Sequence, residues 1–505
     1  RRRWGAGERV IILGEDGPRF VGGFLGCLRG GMIAVPAAAP RGNQSLAGLE
    51  AIVADCGAVA CLDAGISPRA KTRLLASESL RAVRWVDEES LSAAADDGLE
   101  LILPEAGSIA YLQYTSGSTG QPRGVMISHE NLVRNQEMMA EAAGHDSSIR
   151  CVGWLPLFHD MGLTAVVQTL YHGGRCVLIP PRFFLQKPLR WLSGISRYGA
   201  TSSAAPNFAY DLCTRSISPD QLAGLDLSSW RVAISGGEPV RAQTLDRFAE
   251  KFRPCGFRSE AWLPCFGLAE ATCFVTGPTH GRVPRTAVDD DRHGLVSCGF
   301  PRQGQQIAIV DPDTRRPRAA RQIGEVWVHG PSVGRGYWGR PEETAEIFGA
   351  KLPGDSRPWL ATGDLGFTLD GELFITGRLK DLIIIRGSNH HPHAIENTVQ
   401  RCNPAFADAR GTAFSIEIDS TERLVIVQEV ARAARIDFNA PAAIADIREA
   451  VSAEHGVQAH AIYLVRPASI PLTSSGKVQR RECRRRLEAE DLADFIVAQD
   501  GGSIS

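Results

Sequence analysis

Thr115-Ser116-Gly117-Ser118-Thr119-Gly120-Gln121-Pro122-Arg123-Gly124 places four hydroxyls and three glycines directly after the strand-like Ala110–Tyr114. Glycine lets a backbone approach a ligand closely, and clustered N–H groups and hydroxyls can cradle phosphate. The run is not a Walker A loop, since no Lys-Ser or Lys-Thr completes the spacing G-x-x-x-x-G, and it is not a G-x-G-x-x-G dinucleotide loop. On these residues alone it reads as a phosphate cradle or as a plain flexible loop.

Other segments carry complementary groups. Asp364, in Ala361-Thr362-Gly363-Asp364-Leu365-Gly366, is a carboxylate on a tight turn. Such a group can accept both hydroxyls of a ribose, although Asp is also an ordinary turn residue. Gly377-Arg378-Leu379-Lys380-Asp381 follows it. Ser235-Gly236-Gly237-Glu238-Pro239 offers a flat backbone surface, and Cys265-Phe266-Gly267-Leu268-Ala269-Glu270 adds an aromatic ring and a carboxylate. Near the end, Leu472-Thr473-Ser474-Ser475-Gly476-Lys477 sets one Lys on a Ser/Gly-rich loop. His390, His391 and His393 suggest metal ligands, but the order His-His-Pro-His suits a turn better. His159-Asp160 reads as an acid–base pair or as a gate. Arg480, Arg481, Arg484, Arg485 and Arg486 read as a solvated helix face, or as a dock for an acidic partner.

Composition narrows the classes. The 505 residues hold 55 Lys+Arg against 57 Asp+Glu, a net charge of −2, which argues against nucleic acid as the main partner. An apolar share of 44% excludes a disordered chain. The 12 Cys are scattered with no C-x-x-C, as expected of buried reduced thiols in a cytoplasmic protein. No apolar run reaches the roughly 18 residues of a membrane span, and no signal peptide is visible. The chain opens on Arg1-Arg2-Arg3-Trp4, not Met, so segments of a longer protein are expected to precede it.

The elements that must position these groups alternate. Val10–Leu13, Met32–Pro36, Ala110–Tyr114, Cys151–Leu155, Cys176–Ile179 and Arg231–Ile234 are short buried strands, with helical patterns at Phe20–Arg29 and Ser128–Met139. This predicts an α/β protein of parallel sheets covered by helices. From about Val296 the strands shorten between Gly/Pro/Asp turns, predicting a β-rich subdomain at about 296–379. A small α+β domain follows, with a strand at Leu424–Val430, a helix at Ala442–Glu454 and a strand at Ile462–Val465. The predicted domains are 1–379 and 380–505, joined at an ordered hinge near Arg378–Asp381.

In this order the segments resemble the adenylate-forming superfamily of acyl-CoA synthetases, peptide-synthetase adenylation domains and luciferases. Trp154-Leu155-Pro156-Leu157-Phe158-His159-Asp160-Met161-Gly162-Leu163, Pro206-Asn207-Phe208-Ala209-Tyr210, Gly267-Leu268-Ala269-Glu270-Ala271-Thr272 and Arg386-Gly387-Ser388-Asn389-His390-His391-Pro392 resemble its fatty acyl-AMP ligase branch. The resemblance runs from about residue 5 to about 487. It implies the superfamily's fold, a large domain of two helix-covered sheets with a β-rich subdomain and a small mobile C-terminal domain. It also implies the reaction: ATP and a fatty acid give acyl-AMP and pyrophosphate, and the acyl group passes to the phosphopantetheine thiol of an acyl carrier protein. Mg²⁺ would neutralise phosphate charge. A carrier-type Gly-x-Asp-Ser motif is lacking after residue 487, so the carrier is expected on another chain or elsewhere in a larger synthase.

Roles follow by resemblance. Thr115, Ser116, Gly117, Ser118, Thr119, Gly120 and Arg123 would hold the β- and γ-phosphates, Arg123 standing where the family usually has Lys. Glu270 would bind Mg²⁺, with Thr272 in the phosphate shell. Gly236, Gly237, Glu238, Phe266, Gly267 and Ala269 would line the adenine slot, with Phe266 stacking on the base. Asp364 and Arg378 would take the ribose. Lys477 would bridge the carboxylate and α-phosphate, and Lys380 would be the hinge that withdraws it. Trp154, His159, Asp160, Met161, Gly162, Asn207 and Phe208 would line the acyl pocket. The stretch Ala271–Val296 is shorter than the insertion this branch usually carries there, which leaves free CoA as an alternative acceptor.

Overall fold

A computed structural model describes residues 5–15, 17–40, 42, 45–87, 103–116, 122–288, 294–385, 388–406, 409–418, 421–432, 438–473 and 478–501. The chain is mixed α/β and divides into two compact units. The first comprises residues up to Thr286, Val296–Thr362 and Phe367–Ile375; the second comprises Ala287–Leu295, Gly363–Gly366 and the chain from Thr376 onward.

The first unit opens with a six-stranded sheet of β1 (Arg9–Leu13), β2 (Ile33–Ala37), β3 (Ala60–Asp63), β4 (Arg84–Val86), β5 (Ile109–Ser116) and β6 (Pro122–Ser128), in the order β4-β3-β1-β2-β5-β6. The pairings among β1 to β5 are parallel, as the buried apolar runs predict, and helices α1 to α4 (Gly17–Arg29, Ala47–Cys56, Pro68–Leu75 and Glu78–Ala82) supply the connections. β6 departs from the expectation. It runs antiparallel to β5, so the phosphate-cradle run spans a hairpin, with Thr115 opposite Arg123.

Helix α5 (His129–Ala143) follows at once. It is stopped at its start by a capping box: Ser128 Oγ accepts from Asn131 N–H at 3.1 Å and Asn131 Oδ1 accepts from Ser128 N–H at 3.0 Å. Gly144, in the left-handed region, ends it. The second sheet holds β7 (Arg150–Gly153), β8 (Arg175–Leu178), β9 (Ser202–Ala205), β10 (Val232–Ser235) and β11 (Trp262–Pro264) in the order β11-β10-β9-β7-β8, all parallel. Helices α6 (Asp160–Tyr171), α7 (Pro181–Gln186), α8 (Leu189–Tyr198), α9 (Asn207–Ser216) and α10 (Ala242–Phe252) connect them. Its core is aromatic: Trp191, Tyr210, Trp230, Phe248 and Trp262 are fully buried and meet largely edge to face.

Short strands β12 (Phe266–Gly267), β13 (Phe274–Gly277) and β16 (Phe300–Pro301) pair with one another, and β14 (Thr286–Val288) pairs with β15 (Gly294–Val296). The β-rich part is a sheet of β17 (Gln306–Val310), β18 (Gly324–His329), β19 (Leu360–Leu369) and β20 (Glu372–Arg378), with helix α11 (Pro341–Phe348) between β18 and β19.

In the second unit β21 (Ile383–Ile385) and β22 (Ser388–His390) form a ribbon. β23 (Gly411–Ile418), β24 (Thr421–Glu429), β25 (Ala459–Val465) and β26 (Ile496–Gly501) form a sheet in that order. Helices α12 (Pro392–Cys402) and α13 (Ala440–His455) share one core with it through Ile395, Val399 and Ile447; α14 (Arg480–Glu488) packs Cys483 and Leu487 into another with Phe414 and Ile416. The His-rich run, read as a turn, is instead a helix start: His391 is the N-cap and Pro392 the first residue of α12.

Candidate active site

Arg123 stands at the foot of the β5–β6 hairpin and is held on two sides. Its guanidinium lies 5.4 Å from the centre of the Tyr337 ring, and Nη2 is 2.9 Å from Glu343 Oε2. Tyr337 in turn donates from Oη to Glu270 Oε1 at 2.8 Å. Burial and the neighbouring Glu270 charge push the Tyr337 phenol well above its usual pKa, so it stays a proton donor to that carboxylate. One cation and one carboxylate from distant parts of the chain are thereby fixed around one ring. A second tether fixes the hairpin: Arg340 reaches Asp55 and Glu343, each at 3.2 Å, and donates to the Pro122 carbonyl.

Glu270 sits in a one-turn 3-10 helix, Ala269–Ala271. The next residue, Thr272, has φ 70° and ψ −56°, and Cys273 N–H donates to the Ala271 carbonyl at 2.8 Å. This is the strained form of γ-turn, rare for a β-branched residue. Asn135, fully buried on α5, clamps it. Its Nδ2 donates to the carbonyls of Ala271 (3.3 Å) and Phe274 (2.8 Å), and its Oδ1 accepts from Phe274 N–H (3.2 Å). Thr272 is itself fully buried, and its hydroxyl donates to the Ser332 carbonyl at 2.6 Å. Thr272 is the residue expected in the phosphate shell, and its hydroxyl faces the Ser332 carbonyl.

The adenine-slot residues are placed in part. Phe266 and Ala269 are buried. A Cβ on Gly267 would fall 1.7 Å from the Cys273 carbonyl oxygen, and one on Gly236 would fall 2.7 Å from Cys265 Sγ, so both glycines serve close backbone approach. Gly237 has φ 78°. Glu238 Oε1 accepts from Phe208 N–H at 2.6 Å, placing this carboxylate at the first turn of α9. Gly117, Ser118, Thr119, Gly120 and Lys477 lie outside the described residues, as does the side chain of Ser116. In the second unit, Arg378 Nε is 2.9 Å from Asp364 Oδ1, and the Asp364 side chain is buried. Lys380 lies in a 3-10 turn, Leu379–Asp381, right after β20.

The acyl-pocket residues separate into two groups. Trp154 is buried, stacked on Phe184 at 4.0 Å and edge-on to Phe208 at 6.2 Å, and Met161 packs on the same core. His159 is the N-cap of α6, and its Nδ1 is 2.6 Å from Asp160 Oδ1. The Asn207 side chain accepts from Arg241 N–H at 3.0 Å and donates to Thr244 Oγ1 at 3.1 Å, so it ties α9 to α10. Gly162 lines a narrow apolar cavity between α6 and strands β7 and β8, with Ala165, Val166, Leu155 and Leu178. A Cβ at 162 would fall 2.2 Å from the Pro156 carbonyl oxygen.

Sequence reasoning missed Tyr337, Glu343 and Asn135, whose types and spacing carry no motif. The basic run divides. Arg480 is not on a solvated face but pinned to Asp381 (2.9 Å) and Glu396 (2.7 Å); Arg484, Arg485 and Arg486 pair with Glu488 and Glu482 along α14.

The model of the AMP-binding enzyme family matches residues 2–338, and that of the Disco-interacting protein 2-like AMP domain matches residues 380–493. The medium-chain fatty acid–acyl-carrier-protein ligase JamA of Moorena producens is 41% identical over 99% of this chain and 89% of its own length. The corresponding ligase TtuA of Teredinibacter turnerae is 35% identical over 95% and 85%. Among solved structures, the fatty acyl-adenylate ligase from L. pneumophila, in complex with acyl adenylate and pyrophosphate, matches with TM-score 0.74 and 37% identity over 99% of this chain and 89% of that one.

Proposed function

Because this chain belongs to the AMP-binding enzyme family, we propose that it activates a medium- or long-chain fatty acid with ATP and passes the acyl group to the phosphopantetheine thiol of an acyl carrier protein. A carboxylate oxygen attacks the α-phosphorus, the bond to the β-phosphate breaks and pyrophosphate leaves. The carrier thiol then attacks the acyl carbonyl and AMP leaves. The observation that carries the reading is the Arg123–Tyr337–Glu270 cluster at the base of the hydroxyl- and glycine-rich hairpin: a cation for phosphate and a carboxylate, mutually oriented.

Glu270 fits Mg²⁺ as one hard-oxygen ligand. Magnesium is held by one or two carboxylates together with substrate phosphates, and no group of three metal-ligating side chains occurs among the described residues. When bound, the ion would neutralise phosphate charge. Asp364, oriented by Arg378, takes the ribose hydroxyls. Lys477 offsets the charge where the two anions meet. The acyl chain lies against the apolar side chains of Trp154, Met161 and Phe208. Lys380 is the hinge at which the second unit turns between the two half-reactions. Free CoA, the alternative raised by the short Ala271–Val296 stretch, is not carried forward, because JamA and TtuA, which this chain covers over most of their length, are carrier-protein ligases. No helix among the described residues is long and apolar enough to cross a membrane, and we place the reaction in the cytoplasm, where ATP is available. The test is fatty-acid-dependent exchange of pyrophosphate into ATP: exchange with saturated acids and none with amino acids is expected, and the reverse order would overturn the reading.

A further inference from the structure

Between Asp160 and Asp211 the chain carries no Asp or Glu, yet it carries Arg175, Arg182, Lys187, Arg190 and Arg197. All five cations are exposed, and among the described residues no carboxylate pairs with any of them. Three of them lie against rings: Arg182 and Arg190 are 5.4 and 4.9 Å from the centre of the Phe183 ring, Arg190 also donating to the Phe183 carbonyl at 3.1 Å, and Arg197 is 5.5 Å from the centre of the Tyr198 ring. Arg484, Arg485 and Arg486 of α14, by contrast, are matched by carboxylates on their own helix. In a chain of net charge −2, this unbalanced stretch is a local feature and not a reflection of overall composition.

The same stretch exposes Leu170, Tyr171, Phe183, Leu185 and Tyr198, each between 39% and 47% accessible. An open groove of about 450 Å³ runs between the edge strand β8 and α8, with Leu178, Ile179 and Leu189 on its floor and Arg190 and Arg197 on its rim. Leu178 also lines the narrow cavity of Gly162, Ala165 and Val166. Large exposed apolar side chains ringed by unpaired cations mark an interaction surface, and aromatic and arginine side chains of this kind suit the boundary between headgroups and acyl chains.

We propose that this face, α7 with the β8–α8 groove, docks on an anionic lipid surface. Phe183 and Leu185 enter the acyl boundary while Arg182, Lys187, Arg190 and Arg197 lie level with the phosphates. An acidic protein would satisfy the cations but not the run of half-exposed apolar residues. A bilayer satisfies both, and it is the phase into which long fatty acids partition. The docking does not rest on the fatty-acid reading.

The test is co-sedimentation of the full chain with vesicles of phosphatidylcholine alone and of phosphatidylcholine with phosphatidylglycerol. Binding to the anionic vesicles only, weakened by salt, is expected. In Arg190→Glu/Arg197→Glu it should fall by ~10-fold or more, because each cation near such a surface contributes about a 5-fold factor. Leu185→Asp should weaken it without any change in the arginines. Both variants should keep fatty-acid-dependent pyrophosphate exchange with a short soluble acid, which separates loss of docking from loss of fold or of the activity. Wild-type protein that stays in the supernatant with anionic vesicles, or folded variants that bind as well as wild type, would overturn the proposal. Capture of an acidic carrier protein through Arg190 and Arg197 without vesicle binding would overturn it too, and would give the face to the carrier.

Discussion

Tyr337 links the two charged groups of the site, so its hydroxyl has a calculable worth. Tyr337→Phe removes the bond to Glu270 Oε1 and leaves a part-buried carboxylate short of a donor, a loss of about 1–3 kcal/mol. The expected result is a lower melting temperature and a raised KM for ATP with the fatty-acid KM unchanged. Arg123→Ala should raise the ATP KM ~10-fold or more by removing a charge-assisted contact to phosphate, and Arg123→Lys should recover part of it. Initial-rate kinetics with ATP varied check both. Asn135→Ala strips three hydrogen bonds from the γ-turn at Thr272. It should cost about 3 kcal/mol or more and lower kcat in a thermally intact sample, because the turn aims Glu270. The residues whose type itself suggests the chemistry, Glu270 and Asp364 among the described ones, stand out in the sequence. Their supports do not. A Tyr, a Glu and an Asn outside any motif become significant only once β6, α5 and α11 bring them together.

At the scale of elements, short buried runs made β1, β2, β5, β7, β8 and β10 of the first two sheets readable, and a helical pattern made α5 readable. The antiparallel β6 was hidden inside what reads as a loop, because Pro122, Arg123 and Gly124 are poor strand formers paired only by the hairpin. The tie from Asn207 to Arg241 and Thr244 was not readable, because sequence cannot show that these residues are opposite. One junction titrates. His145 follows the α5 cap and bridges Ser202 on β9 and Gln168 on α6. Burial, then the nearby His172 and His280, lower its pKa to about 4. The unfolded chain binds this proton near pH 6.5 and the folded chain only near pH 4, so stability is full above pH 6.5 and falls as pH drops between those values. The whole window is worth up to about 3 kcal/mol. Urea midpoints measured from pH 7.5 to 5 should fall, and His145→Gln should flatten that slope.

For the molecule as a whole, the phosphate and acyl groups we propose belong to the large α/β unit, and the ribose pair Asp364 and Arg378 and the catalytic Lys477 belong to the smaller one. If Lys380 is the hinge, Lys380→Pro should leave pyrophosphate exchange near wild type and slow acyl transfer at least ~10-fold, since proline fixes φ where the turn must change. Equal effects on both half-reactions would remove Lys380 from that role. The central claim is that fatty acid leaves this enzyme on a carrier thiol, and one assay addresses it directly. A radiolabelled fatty acid, ATP and Mg²⁺ are incubated with the enzyme, and the acyl-adenylate formed is challenged with free CoA or with a phosphopantetheinylated carrier protein. Adenylate that persists in CoA and is discharged onto the carrier is the predicted result. Rapid formation of acyl-CoA, with the carrier left unacylated, would contradict the account.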